Sequence, residues 1–325
     1  MTNPPLEFFV RRLLLKIAIF TGESPRSKNM CKKMVLFALA ASLVLGLAGC
    51  KKAAAVDNSL EDLKKRGVFI LGLDDSFPPL GYRNEFNEIV GYDIDLAMEL
   101  ASRLGVEFRA QPIDWAAKEM ELAAGKIDCI WNGFTITAER NEALAMTKPY
   151  LNNEQVVVVR ADSGLKTLAD MAGKTIGIQS GSSAQEAVEG NPDFAASLKG
   201  QVSYKENLTA LNDLELGGVD GVVMDSVVAA YDIAVSGKPL VLIAEPLSNE
   251  GYGIGFRKTD VKLRDEVQKI LEEIAADGTV EAISKKWFGR NISVIGVDTV
   301  DVSETENAEP SETVEVTEVA EVAGM

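Results

Sequence analysis

The sequence of 325 residues contains no histidine. Histidine is the commonest general base, a member of the serine triad and a frequent zinc ligand, so its absence removes that triad and most zinc sites. We therefore predict no catalytic residue, no metal site and no cofactor. Basic residues are also scarce, since 33 Lys and Arg stand against 49 Asp and Glu, a net charge of −16. Such an acidic chain is not expected to bind nucleic acid.

Cysteine is almost as rare, with three in the chain. Cys31 lies in a predicted signal region and Cys50 in a predicted lipidation motif. Cys129 is then left alone in an apolar strand, where we predict a small core residue. No disulfide framework can form from this set.

Residues 1–49 form a predicted signal region, with seven basic and two acidic residues. Lys32 and Lys33 precede an uncharged apolar run, residues 34–48, which is shorter than the ~20 residues of a membrane span. The sequence LAGC that ends at Cys50 resembles the lipobox of bacterial lipoproteins, in which the cysteine is lipidated. The resemblance implies an extracytoplasmic protein with a lipid anchor in the bacterial cell membrane. An uncleaved signal anchor is the alternative.

The extreme ends of the chain are not expected to belong to the folded domain. Residues 1–29 precede a signal that is already complete, so either the start is assigned too early or the basic region is unusually long. Residues 50–56 are a predicted lipidated linker. Residues 291–325 hold nine acidic residues, no basic residue and no aromatic residue. That composition predicts a disordered acidic tail.

Strands and helices alternate through the middle of the chain, residues 57–290. Apolar runs such as VFILGLD (68–74) and QVVVVR (155–160) predict strands. Residues 93–104 place Leu96, Leu100 and Leu104 on one face of a helix. The alternation predicts an α/β fold with mainly parallel sheets flanked by helices.

The pattern of this middle region repeats roughly. A strand, a polar turn and a helix occur near residue 131 and again near residue 179, and strands end in acids at Asp74 and Asp225. Ligands of open α/β sheets bind outside the carboxyl ends of the strands, often in a cleft between domains. Two facing lobes would bring these four strand ends to one cleft.

Seven motifs between about residues 60 and 290 occur in a specific order. They are LGLDDSFPPLGYRNEFNEIVGYDIDLAMELASRLG, GKIDCIWNGFTITAER, TKPYL, IGIQSGSSAQE, GVDGVVMD, GYGIGFRK and DGTVEAISKKWFG. Together they resemble the polar amino-acid binding proteins of ABC importers, the family 3 extracellular solute-binding proteins. The resemblance implies a two-lobed fold of the type II periplasmic-binding-protein class. It also implies a monomer that binds a free amino acid between its lobes, closes on a hinge and delivers the ligand to an ABC permease.

Two connector-like segments locate the crossings between the lobes, near 152–155 and near 244–251. Lobe 1 is then predicted to comprise residues 57–152 and 249–290, and lobe 2 residues 153–248.

Several predicted ligand contacts follow the strand that ends in WNGFT. The resemblance implies that Arg140 makes two parallel hydrogen bonds to the α-carboxylate of the ligand. A guanidinium can make such a pair and an ammonium group cannot. A cation is unfavourable at a helix N-terminus, so an arginine there also indicates a nearby anion, although a plain surface arginine is the alternative. The resemblance places Thr135 near the carboxylate and Asn132 and Gly133 near the ammonium group. Thr137 is expected to be the helix N-cap.

The other predicted contacts come from separate strand ends. Ser182 and Ser183 stand at a predicted helix N-terminus, whose free N–H groups attract an anion. The resemblance implies that they close on the carboxylate and that Asp225 accepts the ammonium group. An ordinary N-cap is the alternative for Ser182 and for Asp225. The family resemblance also implies ligand-facing roles for three further residues: Asp74, Phe77 and Trp115. The aromatic pair would enclose the aliphatic part of the ligand, and Trp115 could instead be a plain core residue.

The predicted cleft is richer in acid than in base, which favours a neutral polar or basic amino acid over an acidic one. Family members often have two serines where this chain has Asn132 and Gly133, so the identity of the ligand is left open.

An enzyme of the dehydratase or transglycosylase type would need Asp225 or Glu119 as a general acid. A sensor or an adhesin with the same clamp is a further alternative.

Overall fold

The structure is a computed structural model that describes residues 56–297. The predicted signal region, Cys50, residues 51–55 and most of the predicted acidic tail lie outside the described residues. Within the described range, no helix is both long and apolar enough to cross a membrane.

The elements up to the first long connecting strand alternate as predicted. The strands are β1 (Val68–Leu73), β2 (Ser76–Phe77), β3 (Gly81–Arg83), β4 (Ile89–Val90), β5 (Glu107–Pro112), β6 (Cys129–Thr135), β7 (Leu144–Met146) and β8 (Leu151–Arg160). The helices are α1 (Ser59–Arg66), α2 (Tyr92–Leu104), α3 (Lys118–Ala123) and α4 (Ala138–Ala143), with a 3-10 turn at Trp115–Ala117.

The alternation continues in the remaining elements. The strands are β9 (Thr175–Gln179), β10 (Gly200–Tyr204), β11 (Gly221–Asp225), β12 (Leu240–Leu242) and β13 (Ser248–Arg257). The helices are α5 (Ser183–Glu189), α6 (Pro192–Ser197), α7 (Asn207–Leu216), α8 (Ser226–Ser236), α9 (Val261–Ala276) and α10 (Thr279–Phe288), with a 3-10 turn at Leu168–Met171.

One large sheet has the strand order β10-β9-β11-β8-β13-β6-β1-β5. Strands β5, β1 and β6 are parallel and form the first strand group, and β10, β9 and β11 are parallel and form the second. Between the groups, β8 and β13 pair antiparallel with each other, and each continues antiparallel into one group. A small sheet of β2, β3 and β4 lies apart from this path. The prediction of an α/β fold with flanking helices is confirmed, and its antiparallel part lies at the centre.

Residues 152–155, predicted as the first crossing, lie in β8, and residues 248–251 of the second predicted crossing lie beside them in β13. Residues 151–155 of β8 pair in register with residues 248–252 of β13. The chain passes from the first strand group to the second along β8 and returns along β13. Every connection between the groups in the described part of the main sheet therefore runs through this antiparallel pair.

The core follows from the apolar patterns of the elements. Every residue of β6 and of β11 is buried, as expected for parallel strands covered by helices on both faces. Leu96, Leu100 and Leu104 of α2 are buried on one face, which confirms the predicted amphipathic helix. Cys129 is fully buried in the core, where burial raises the pKa of its thiol well above the usual value.

The folded domain extends beyond the predicted boundary at residue 290. Val294 donates its backbone N–H to the carbonyl of Tyr150 at 3.0 Å, and Ile295 is buried. Residues 291–297 thus pack on the domain, because this stretch contains isoleucine and valine side chains that can contact apolar surface. The acidic composition averaged over the whole tail did not show this.

Candidate functional site

The structure brings all ten predicted ligand-binding residues to the lining of one cleft at the carboxyl ends of the strands. Gln179, at the end of β9, also lines this cleft and was missed by the sequence reasoning. The lining residues are Asp74, Phe77, Trp115, Asn132, Gly133, Thr135, Arg140, Gln179, Ser182, Ser183 and Asp225. Both strand groups contribute, so the cleft lies between them.

Arg140 lies in the first turn of α4, and the protein holds its guanidinium in place. The Thr137 side chain accepts a hydrogen bond from the Arg140 backbone N–H at 3.3 Å, which confirms Thr137 as the N-cap. Arg140 Nη1 donates to the carbonyl of Thr135 at 2.7 Å, and the guanidinium carbon lies 4.3 Å from the centroid of the Phe134 ring. Burial lowers the pKa of Arg140. A buried, oriented guanidinium with further N–H groups available can pair with a carboxylate.

Hydroxyl groups from both strand groups meet beside this arginine. Thr135 Oγ1, at the end of β6, lies 3.0 Å from Ser183 Oγ, at the start of α5. Ser182 stands at the N-cap position of α5, but its side chain donates to the carbonyl of Gln179 at 2.8 Å and makes no capping hydrogen bond. The first N–H groups of α5 therefore have no side-chain cap, which favours an anion near them.

Asp225 ends β11 and has its carboxyl group inside the cleft. It occupies the N-cap position of α8 without capping it, so the ordinary-cap alternative is not realised. Its Oδ1 accepts hydrogen bonds from Asn153 Nδ2 at 2.8 Å, Gln155 Nε2 at 3.0 Å and Tyr252 Oη at 2.7 Å. Burial, followed by the negative charge of Glu250, raises the pKa of Asp225 to about 7. A desolvated carboxyl group of this kind can pair with an ammonium group.

Asp74 follows β1 and forms a direct contact across the cleft. Its Oδ2 accepts from Gln179 Nε2 at 2.6 Å, while its Oδ1 accepts from Ser76 Oγ at 2.7 Å. Burial raises the pKa of Asp74. Asn132 supports the turn, because its Oδ1 accepts from the Asp74 backbone N–H at 3.1 Å.

Gly133 is required by its backbone geometry. Its φ is +55°, and a Cβ there would lie 2.8 Å from Phe77 Cε1 and 2.9 Å from Leu80 Cδ1. The Gly133 N–H donates to Asp93 Oδ2 at 3.0 Å, so its backbone is fixed from below by a buried acid. Burial raises the pKa of Asp93 to about 7.

Trp115 combines the two roles that the sequence left open. Its ring packs edge-on against Phe134 at 5.9 Å within a core cluster and also lines the cleft.

Lys118, which the sequence reasoning missed, is buried beside Trp115. Lys118 Nζ lies 5.2 Å from the Trp115 ring centroid and donates to the carbonyl of Gly181 at 2.7 Å. Glu119 pairs with Lys118 at 3.3 Å and does not line the cleft.

Three polar side chains of the central strands were also missed: Asn153, Gln155 and Glu250. All three lie at the back of the site and are hydrogen-bonded to its residues. The signal was present in β8, where polar residues interrupt a strand that is otherwise apolar. Across residues 56–297, no group of three or more Cys, Asp or Glu side chains is placed to hold a metal ion.

The chain matches the family model of the bacterial extracellular solute-binding proteins, family 3, over residues 69–290. It is 33% identical over 267 residues to the histidine-binding periplasmic protein of Salmonella typhimurium, covering 78% of this chain and 97% of that protein. It is 27% identical over 267 residues to the L-cystine-binding protein TcyJ of Escherichia coli, covering 82% and 98%.

The fold has a close counterpart among solved structures. The crystal structure of Tv2483 bound to L-arginine aligns with a TM-score of 0.71 at 34% identity, covering 75% of this chain and 99% of that one. The order of motifs, the strand topology and the site geometry agree with these matches. The chain therefore belongs to family 3 of the bacterial extracellular solute-binding proteins.

Proposed function

We propose that the protein binds a free amino acid in the cleft and delivers it to the permease of an ABC importer. The observation that carries this proposal is the arrangement of opposite charges. Arg140 offers a buried guanidinium beside the hydroxyls of Thr135 and Ser183, and Asp225 offers a buried carboxyl group. An amino-acid zwitterion complements both, since its carboxylate accepts hydrogen bonds and its ammonium group donates them.

We propose a neutral polar or basic amino acid as the ligand. Asp74 and Asp225 both line the cleft, whereas Arg140 is the basic residue in that lining. A second carboxylate on the ligand would meet more negative than positive charge there. The named relatives that bind histidine, cystine and arginine are consistent with this range.

A thermal-shift screen against the twenty common amino acids and L-cystine tests the proposal. A ligand at 100 times its Kd stabilises the folded state by about 2.7 kcal/mol, which raises the melting temperature. We expect a shift with at least one neutral polar or basic amino acid and none with glutamate or aspartate. Asp162→Asn, at an exposed carboxylate, should keep the shift. Absence of a shift with every amino acid would contradict amino-acid binding.

Hinge closure is proposed to accompany binding. The lobes would be residues 57–152 with 249–290, and residues 153–248, joined by β8 and β13. Contacts that support a closed form bridge these lobes: Asp74 to Gln179 at 2.6 Å and Lys118 to Gly181 at 2.7 Å. A ligand that touches both lobes favours closure by its differential affinity for the closed form.

Saturating amino acid is expected to reduce the radius of gyration of the protein in solution. The empty protein exchanges between open and closed forms, and the ligand shifts this population toward the closed form. Small-angle scattering with and without the ligand measures the change. The same amino acid with Asp225→Asn protein provides the control for nonspecific effects. An unchanged radius at saturation would rule out hinge closure and leave the binding site in place.

Membrane attachment through Cys50 is a separate proposal, supported by the apolar run and the LAGC motif that precede the domain. Members of this family are extracytoplasmic. Cys50→Ser is expected to release the protein from the membrane without changing its affinity for the amino acid, because the site begins beyond residue 70. Fractionation of cells that express the variant measures this, with Cys129→Ser as a buried control. Continued membrane retention would favour an uncleaved anchor.

We propose binding without catalysis. The two curated relatives named above are binding proteins. Of the two acids considered for an enzyme, Glu119 is paired with Lys118 outside the cleft lining. Asp225 is held by three donors, which suits a fixed acceptor for an ammonium group.

A further inference from the structure

Glu250 is a half-buried acid on β13, in the stretch where this strand pairs with β8. Its Oε2 accepts a hydrogen bond from Thr135 Oγ1 at 2.9 Å and another from Ser183 Oγ at 3.3 Å. These two hydroxyls come from opposite sides of the cleft. The Glu250 carboxylate thus lies directly behind the groups that the proposed function assigns to the ligand.

Two amide side chains join Glu250 to Asp225. Asn153 Nδ2 lies 2.8 Å from Asp225 Oδ1 and 3.1 Å from Glu250 Oε2. Gln155 Nε2 lies 3.0 Å and 3.1 Å from the same two oxygens. An amide nitrogen carries two hydrogens and can donate one to each oxygen. The two carboxyl groups are therefore held close together by the same pair of donors.

Asp225 keeps one oxygen for the cleft. Its Oδ1 accepts three hydrogen bonds, whereas no side chain of residues 56–297 donates a hydrogen bond to its Oδ2. A carboxyl group that lines a cleft with one free oxygen is open to a cationic donor. The same oxygen is a place for a proton while no such donor is bound.

The charges around the pair do not neutralise both acids. Tyr252 donates to Asp225 as a neutral hydroxyl, and Arg140 is directed to the Thr135 carbonyl. Lys118 is directed to the Gly181 carbonyl and paired with Glu119. The single positive charge of Arg140 acts on both acids, while Glu186 from α5 and Asp74 from the opposite side add acidic groups to the same region. Two carboxyl groups that share the same two amide donors repel each other when both are ionised, and this repulsion favours the uptake of one proton.

We propose that Glu250 and Asp225 form one two-carboxyl site for the ammonium group of the ligand, and that this site releases a proton to solvent when the ammonium group binds. The inference rests on the proposed amino-acid function and adds Glu250 as a specificity-determining residue. The chemical class that the site accepts is an α-ammonium carboxylate. An α-hydroxy carboxylate of the same shape lacks the cation and is rejected.

The pH dependence follows from the sign of this exchange. In the empty protein, burial and the Glu250 charge raise the pKa of Asp225 to about 7, so the carboxyl is mostly protonated at pH 6. The bound ammonium group favours the ionised form and lowers that pKa. The affinity for the amino acid is therefore highest above about pH 8. It falls about tenfold for each pH unit below 7.

Calorimetric titration measures the number of protons released on binding when it is done in two buffers of different ionisation enthalpy. The wild-type protein is titrated with L-arginine, L-histidine and L-glutamine. We expect release of nearly one proton at pH 6 and almost none at pH 8. This measurement needs no variant, and binding without proton release at pH 6 would overturn the inference. If none of the twenty amino acids binds the wild type, the proposed function fails, and the inference fails with it.

Glu250→Gln removes the charge and keeps the shape of the side chain. We expect the proton release at pH 6 to fall below the wild-type value and the affinity at pH 8 to fall about tenfold, because one of two negative charges is lost. The matched control is Glu154→Gln, since Glu154 is exposed on the neighbouring strand and lies opposite Asn249. It should behave as the wild type.

A residue that merely orients the two hydroxyls would give a different result. In that case Glu250→Gln would weaken binding and leave the proton count unchanged, and this outcome would contradict the inference. Discrimination provides a second measurement. The α-hydroxy analogue of the amino acid that binds should compete poorly with that amino acid for the wild-type protein. Equal affinity of the wild type for this amino acid and for its α-hydroxy analogue would also overturn the inference.

Discussion

Replacing Arg140 with lysine is expected to weaken amino-acid binding by about 2–3 kcal/mol. In the structure, one guanidinium nitrogen donates to the Thr135 carbonyl at 2.7 Å, and the guanidinium carbon lies 4.3 Å from the centroid of the Phe134 ring. The remaining N–H groups are then free to meet the ligand carboxylate in parallel. A lysine has one nitrogen on a flexible stem and cannot make both contacts with the same geometry. Calorimetric titration at pH 8 measures the loss.

The control for this variant is Arg83→Lys. Arg83 is an exposed arginine that pairs with Asp75 on the small sheet, so the same substitution there removes a surface ion pair. Affinity should then be unchanged. If Arg140→Lys binds as tightly as Arg83→Lys, the guanidinium does not hold the ligand carboxylate and the proposed clamp is incorrect.

Gly91→Ala is expected to reduce the free energy of unfolding by at least about 3 kcal/mol. Gly91 has a φ of +147°, a region that is open to glycine almost alone. A Cβ at this position would lie 2.1 Å from the carbonyl oxygen of Leu80 and 2.5 Å from its carbonyl carbon. The obstruction is backbone, so it cannot be relieved by rotation of a side chain. Urea unfolding of the wild type and the variant measures the difference.

Gly105→Ala at the other end of the same helix is the matched control. Gly105 also has a positive φ, +73°, but a Cβ there meets no atom within 4 Å. We expect a cost of about 1 kcal/mol from backbone strain alone. Equal losses for the two variants would show that the close approach to Leu80 is relieved elsewhere in the chain.

Gly91 matters for the cleft as well as for the fold. The helix that it begins carries Asp93, whose backbone N–H donates to the Leu80 carbonyl and whose Oδ2 accepts from Gly133. A partly folded Gly91→Ala protein is therefore expected to lose affinity for the amino acid. The reason is that Gly133 would lose the buried acid that fixes its backbone.

The sequence was sufficient for the parts of the site that belong to strand ends. Thr135 and Asp225 end apolar strands, and a polar residue at that position is visible without knowing what lies opposite, whereas Arg140 was predicted from the family resemblance. Local patterns also identified the cap at Thr137. They did not decide whether Ser182 and Asp225 cap their helices, because that depends on which partner competes for the side chain in three dimensions.

The contacts of the residues behind the cleft could not be assigned in this way. Glu250 and Asn153 are 97 positions apart and meet because β8 and β13 pair in a particular register. In the sequence the segment around Glu250 has the composition of a connector, and a connector gives no reason to place an acid in a binding site. Lys118 is a similar case, since its partner Gly181 lies 63 positions away.

The hydrogen bond from Lys118 to the Gly181 carbonyl has a consequence for the rate of binding. It joins the two sides of the cleft through protein atoms, as does the contact from Asp74 to Gln179. Whenever the cleft is closed, these bonds must break before an amino acid can enter. The observed association rate should then rise with ligand concentration to a plateau set by opening, and Lys118→Met should raise that plateau.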